Sequence, residues 1–238
     1  MIGIFDSGVG GLVSYRELRR LLPKEDILYL ADRRNAPYGT KSKDELIMLV
    51  KRDISRLTLL GAEKILIACC TASTVYGELS ECEKDISIPI ISPTAKHLAT
   101  LAQESAHPYR IAVIATEHTK DSKAFSDSIS GYTKNAKITE IGAQELVSFA
   151  ESGEKDGKIS TRTHLYLDSL CKRVRLFSPD ALVLGCTHFS YFEESLRERL
   201  SGVLTVSPAR LGAKEMYDFY TKNYDSFTKG RQRSLYTE

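Results

Sequence analysis

Short apolar runs alternate with helical patterns along almost the whole chain. The runs are IGIF (2–5), ILYL (27–30), KILIA (64–68), PII (89–91), RIAVIA (110–115), KITEI (137–141), ALVLG (181–185) and LTV (204–206). A strand with one wet face alternates polar and apolar residues, whereas these runs are mostly apolar throughout. That is the pattern of strands covered on both faces, as in parallel sheets flanked by helices. The regular alternation of strand and helix predicts an α/β architecture.

The helical stretches carry their own boundaries. Leu12, Tyr15, Leu18 and Leu22 share one face of a first helix that Pro23 closes. SKDE (42–45) is a capping box followed by Ile47, Val50, Ile54 and Leu57 at helical spacing, and Gly61 stands where that helix should stop. A longer helix is predicted over about 160–176. ESGEKDGK (151–158) reads as a charged surface loop, and the polar segment after Tyr224 as loosely held. No Pro/Gly linker divides the chain, so two domains would be joined by more than one crossing.

The 238 residues are enough to bury a sizeable core, and a net charge of +2 offers no footprint for nucleic acid or an acidic membrane surface. Neither a signal-peptide pattern nor a run of membrane-spanning length is found. A cytoplasmic protein with reduced thiols is expected. Its five cysteines, Cys69, Cys70, Cys82, Cys171 and Cys186, then serve as core residues, metal ligands or catalysts. The lack of a long extension before IGIFDSG also leaves no regulation of that kind to expect.

KILIACCTAS and DALVLGCTHFS echo one another. Each runs from a charged residue through an apolar strand to a Cys-Thr turn and into a helix, which suggests two related halves. Ligands of open α/β sheets bind beyond the carboxyl ends of strands, where both corners fall. A cysteine at such a turn faces a helix N-terminus, which can lower its pKa and favour thiolate. The competing role is that of a small buried hydrophobe. That role is expected for Cys82 and Cys171, which lie within helical patterns. For Cys69, Cys70 and Cys186 both roles stand. Zinc on Cys69, Cys70, Cys186 and His188 is disfavoured, because C-C and C-x-H are tighter than structural zinc spacings.

FDSGVGGL (5–12) is a Gly-rich turn without the dinucleotide-binding spacing. Asp6, at the carboxyl end of the first strand, is placed either to meet a ligand or to cap the first helix. APYGTKS (36–42) and ATEHTKDS (115–122) offer amides and hydroxyls to a carboxylate, or caps to the next helices. His188 follows Cys186 by two residues, as an acid/base partner would.

In this order, IGIFDSGVGGL, YLADRRNAPYGTKS, ACCTAS, IATEHTKDS, FAESG and LVLGCTH resemble glutamate racemase, of the cofactor-independent aspartate/glutamate racemase superfamily. The resemblance runs from the first residues to about residue 212. It implies two similar α/β domains with mostly parallel sheets and an active site in the cleft between them. The implied domains are 1–93 with 207–238, carrying Asp6 and Cys69, and 94–206, carrying Cys186 and His188. It further implies two thiols, Cys69 and Cys186, on opposite faces of the substrate, exchanging the roles of base and acid. Asp6 would assist Cys69; His188 and Glu151 would assist Cys186. Asp6, Ser7, Pro37, Tyr38, Gly39, Cys70, Thr71, Thr116, Thr119, Thr187 and His188 would surround the substrate. No cofactor and no metal are implied, and no nucleic-acid or membrane partner. A homodimer making D-glutamate for peptidoglycan is expected.

The chain departs from that pattern at three places. Cys70 stands where the family usually has a substrate-contacting Asn, Ala143-Gln144 where it often has Cys-Pro, and VSP (206–208) where it has an IDS-like turn. The first departure keeps two rivals open: a racemase for aspartate or of relaxed acidic specificity, and a non-catalytic dicarboxylate binder.

Overall fold

In the computed structural model, residues 1–223 are described. The polar segment after Tyr224 lies outside them. The elements follow in the order β1 (Ile2–Asp6), α1 (Leu12–Leu21), β2 (Ile27–Ala31), α2 (Lys43–Leu59), β3 (Lys64–Ile67), α3 (Cys70–Ser73), α4 (Glu81–Asp85), β4 (Ser87–Pro89) and α5 (Ile91–Glu104). Then come β5 (Tyr109–Ala115), α6 (Glu117–Asp121), α7 (Ala124–Tyr132), β6 (Ala136–Gly142), α8 (Glu145–Glu151), α9 (Thr161–Leu176), β7 (Ala181–Gly185), α10 (Glu193–Arg199), β8 (Leu204–Val206) and α11 (Pro208–Lys222).

The strands form two four-stranded sheets, ordered β2-β1-β3-β4 and β6-β5-β7-β8, and every pairing is parallel. The second order repeats the first, strand for strand. β3 and β7 therefore occupy equivalent places beside the central strands β1 and β5, and the two cysteine corners are equivalent corners.

Each sheet is covered on both faces, which is why its strands are apolar throughout. α2 packs Leu46, Val50, Ile54 and Leu57 against Phe5, Ile65 and Ile67. On the opposite face α1 and α11 bring Leu18, Ala213, Met216 and Tyr220 onto Ile2, Ile4 and Leu66. Gly212 allows that approach: a Cβ there would lie 3.2 Å from both Ile90 Cγ1 and Leu66 Cδ1. In the second sheet, α5 and α7 cover one face with Leu98, Phe125 and Ile129. The other face carries Leu146, Leu167, Leu170 and Leu196 from α8, α9 and α10.

Local signals act as read. Ser42 and Glu45 close a reciprocal capping box at the start of α2, and Gly61, at φ +91°, ends it. Ser160 caps α9 through the Thr163 amide. Two expectations need correction. The strand expected over 89–91 ends at Pro89, because Ile91 already begins α5. Pro93 fits the first turn of that helix, where a missing N–H leaves no bond unmade. Cys82 lies in a helix as expected but is exposed, because α4 is a single turn with no buried residue.

Candidate active site

Both cysteine corners and the Gly-rich turn meet between the sheets, beyond the carboxyl ends of β1, β3, β5 and β7. The Gly-rich turn lies against the second half with little room. A Cβ on Gly10 would overlap the Thr187 hydroxyl and come within 2.9 Å of the His188 amide nitrogen. One on Gly8 would lie 3.2 Å from Glu151 Oε1. Two phenols hold the turn in place: Tyr29 donates to the Gly8 carbonyl at 2.9 Å and Tyr191 to the Val9 carbonyl at 3.0 Å. Neither tyrosine was singled out from sequence: Tyr29 sits in an apolar strand and Tyr191 in an aromatic turn, where a phenol looks like core.

Cys69 is the N-cap of α3. Its Sγ accepts from the Ala72 amide at 3.5 Å and lies 3.8 Å from Ser7 Oγ. Cys186 follows β7, its Sγ 3.6 Å from His188 Nδ1, and Glu151 Oε1 lies 2.6 Å from His188 Nε2. With Nε2–H donating to Glu151, Nδ1 is left to accept the Cys186 proton. The chain from Cys186 through His188 ends at a half-exposed carboxylate, so protons on that side can reach solvent. His188 thus meets Cys186, and Glu151 meets His188.

Asp6 is fully buried. It accepts from the Gly8 amide at 2.8 Å and from the Thr187 hydroxyl at 3.1 Å, so it bridges the halves. It makes no hydrogen bond to Cys69 and bears on that thiol through its charge. Burial pushes the Asp6 carboxyl up, against the opposing pull of His188 and its hydrogen-bond donors.

The two candidate thiols are not lowered, which corrects the helix-dipole expectation. Burial, then the charge of Asp6, pushes the Cys69 thiol up to about 12, and burial with the Cys69 charge raises Cys186 well above its ordinary value. α3 is one turn long, too short for a substantial dipole. Making a thiolate of Cys69 at pH 7 therefore costs roughly 7 kcal/mol. An ammonium about 4 Å away returns about 4 kcal/mol at an effective dielectric of 20.

Thr71, Thr116 and Thr119 form a buried triangle across the halves. The hydroxyl of Thr71 lies 3.2 Å from that of Thr116 and 3.1 Å from that of Thr119, and the last two are 2.9 Å apart. Gly39 reaches the same place: a Cβ on it would meet Gln144 Oε1 at 3.0 Å and Thr116 at 3.2 Å. Pro37 lines a cavity of about 500 Å³ with Gly8, Arg33, Gln144 and Glu151, and neither cysteine borders it. Gln144 Oε1 is buried there without a partner, and sequence reading marked that position only as a departure. The Tyr38 hydroxyl points away from the cleft. It is buried in the α2 core, its oxygen within hydrogen-bond distance of both Asp32 and Asp53. Cys70 is packed among Ile90, Ile91, Ala95 and Phe125, yet feels the charges of Cys186 and Cys69. Cys171 is core, as expected.

The family model for Asp/Glu/Hydantoin racemase matches residues 15–216. A glutamate racemase of Campylobacter curvus is 38% identical over 203 residues, spanning 84% of this chain and 74% of that protein. One from Desulforudis audaxviator is 36% identical over 212 residues, 87% of this chain and 74% of that protein. The crystal structure of glutamate racemase from Francisella tularensis in complex with D-glutamate superposes with a TM-score of 0.83 at 29% identity, covering 94% of this chain and 81% of that one. The matched span takes in both cysteine corners, the threonine triangle and the His188–Glu151 pair. The chain belongs to the Asp/Glu/Hydantoin racemase family and is an amino-acid racemase of the glutamate racemase type.

Proposed function

We propose that the chain interconverts L- and D-glutamate by two-base proton transfer between Cys69 and Cys186. The observation that carries this reading is the equivalence of the two cysteine corners. Each thiol lies just past the end of the equivalent strand, β3 or β7, of two sheets with the same order, and both are buried.

The substrate ammonium enters beside Asp6 and the thiols, offsets the Asp6 charge and so eases formation of one thiolate. The Thr71–Thr116–Thr119 hydroxyls and the Gly39 turn receive carboxylate oxygens. One thiolate takes the α-proton, and the negative charge passes into the adjacent carboxylate group of the substrate. The opposite thiol then delivers its proton to the other face of the α-carbon. Atoms balance, and the two cysteines have exchanged protonation states. On the Cys186 side, His188 accepts the proton and Glu151 steadies the imidazolium. On the Cys69 side, Ser7 and the Ala72 amide offset the thiolate charge.

Residues 1–93 with the segment from 207 onward form the lobe of Cys69 in this reading, and 94–206 that of Cys186. The protein acts in the cytoplasm as a homodimer and supplies D-glutamate for peptidoglycan. Among the described residues no helix is long and apolar enough to cross a membrane. Incubation with L-glutamate in D₂O should yield α-deuterated glutamate and the D-isomer, and absence of both would overturn the assignment.

A second reading is favoured by Cys70, whose side chain lies in an apolar cluster and offers the substrate no amide. It is a racemase for aspartate or of relaxed specificity, which a panel of acidic amino acids would identify. Tight glutamate binding without isotope exchange would instead point to a non-catalytic dicarboxylate binder.

A further inference from the structure

The Tyr38 phenol has one hydrogen but two carboxylate oxygens beside it. Asp32 Oδ2 is 2.7 Å away and Asp53 Oδ2 2.9 Å away. Both carboxyl groups are buried, Asp53 completely. One phenolic proton can serve only one of them. Without another hydrogen, the second contact would set lone pairs against each other in a dry site.

Asp32 is the better anion. It accepts from Asn35 Nδ2 at 2.9 and 3.0 Å, from Arg52 and from the phenol. Asp53 Oδ1 accepts from Arg52 Nε and Nη2 at 3.1 and 3.0 Å, which leaves Oδ2 facing the phenol alone. The groups facing Asp53 are Arg52 and Arg56 on its own helix, with Asp32 and Tyr38 from the loop packed against it. Phe5, Leu28 and Leu30, on the strands beneath, are apolar. Burial raises the Asp53 carboxyl and the Asp32 charge adds to it, against the bonds from Tyr38 and Arg52. At Asp32 the bonds from Tyr38, Asn35 and Arg52 outweigh burial and hold the carboxyl below its ordinary value.

We propose that Asp53 is a neutral carboxylic acid whose O–H donates to the Tyr38 oxygen. The chain from Asp53 through Tyr38 to Asp32, closed by Arg52, then holds the Pro37–Gly39 turn at the mouth of the cleft. Asp53 touches no substrate and is a positioning residue for racemisation, an inference that rests on reading this turn as substrate-binding. Loss of the Asp53 proton sets two carboxylates against one phenol, so the turn loosens and substrate affinity falls as pH rises.

Asp53→Asn copies the neutral acid: its amide N–H replaces the O–H, and its carbonyl still accepts from Arg52. The infrared difference between the full-length parent and Asp53→Asn at neutral pH should contain one protonated carboxylic-acid band. KM for glutamate should stay within about threefold of the parent in Asp53→Asn and rise about tenfold in Asp53→Ala and Tyr38→Phe, with kcat little changed. The alkaline rise in KM should appear in the parent and vanish in Asp53→Asn. Absence of that difference band, or an Asp53→Asn variant as impaired as Tyr38→Phe, would overturn the proposal. The band is read without turnover, so it stands or falls apart from the racemase reading. If Asp53→Ala fails to fold, the Asn and Phe variants decide.

Discussion

Cys69 and Cys70 are adjacent in sequence and sit in different surroundings. Cys69 faces Ser7 and the α3 amides, whereas Cys70 turns into the apolar cluster of Ile90, Ala95 and Phe125. Cys69→Ser and Cys186→Ser should each lower racemisation by about a thousandfold or more, since a hydroxyl is a far poorer base than a thiolate. Cys70→Ala should keep a rate within about tenfold of the parent; equal loss in all three would name the wrong base. The Cys69 thiol also bears on alkaline stability. In the fold it keeps its proton to about pH 12, whereas an unfolded thiol loses it near roughly 8.5. Its contribution is complete below about 8.5 and is lost at roughly 1.4 kcal/mol per pH unit as pH climbs through that window. Urea unfolding against pH should show a shallower alkaline decline for Cys69→Ala.

At the scale of the element, the Gly-rich turn is the tightest piece of the site. Gly10→Ala should displace Thr187 and the His188 backbone, costing about 1–3 kcal/mol of stability. It should also remove most activity, because Thr187 and His188 hold Asp6 and Cys186; near-normal kcat/KM would show that the turn can yield. α2 provides the contrast. Ser42→Ala deletes an exposed cap whose hydrogen bonds go to Glu45, and should cost about 0.5–2 kcal/mol in denaturant titration, with kcat unchanged. The strands and caps were legible because they are local: apolar runs, an S-x-x-E box and a glycine stop need no distant partner. The lapses were at β4, where Pro89 and Ile91 straddle a strand end and a helix start, and at α4, whose single turn has no buried face.

At the scale of the molecule, the halves meet through groups proposed to bind the substrate: Thr187 with Asp6, Thr71 with Thr116, and Gly39 beside Gln144. The thiols are buried where these contacts close, so substrate must enter between the halves and leave them bridged. Glutamate at about 100 times its Kd should therefore raise unfolding free energy by about 2.7 kcal/mol. Thr71→Val should weaken that stabilisation without abolishing the fold. A melting temperature insensitive to glutamate would contradict a site shared between the halves.

By itself the sequence determined the α/β class, the doubled strand–Cys–helix corner and the helix boundaries, because each is written in residues close along the chain. It also carried the ordered motifs of the racemase family. Only the tertiary structure decided how those residues are used. It turned the Tyr38 phenol away from the cleft, joined Asp6 to Thr187 across 181 positions and buried both thiols so deeply that desolvation outweighs one helical turn. Hydrogen-bond partners and burial are set by which surfaces meet, and the sheets bring together residues that no local pattern connects.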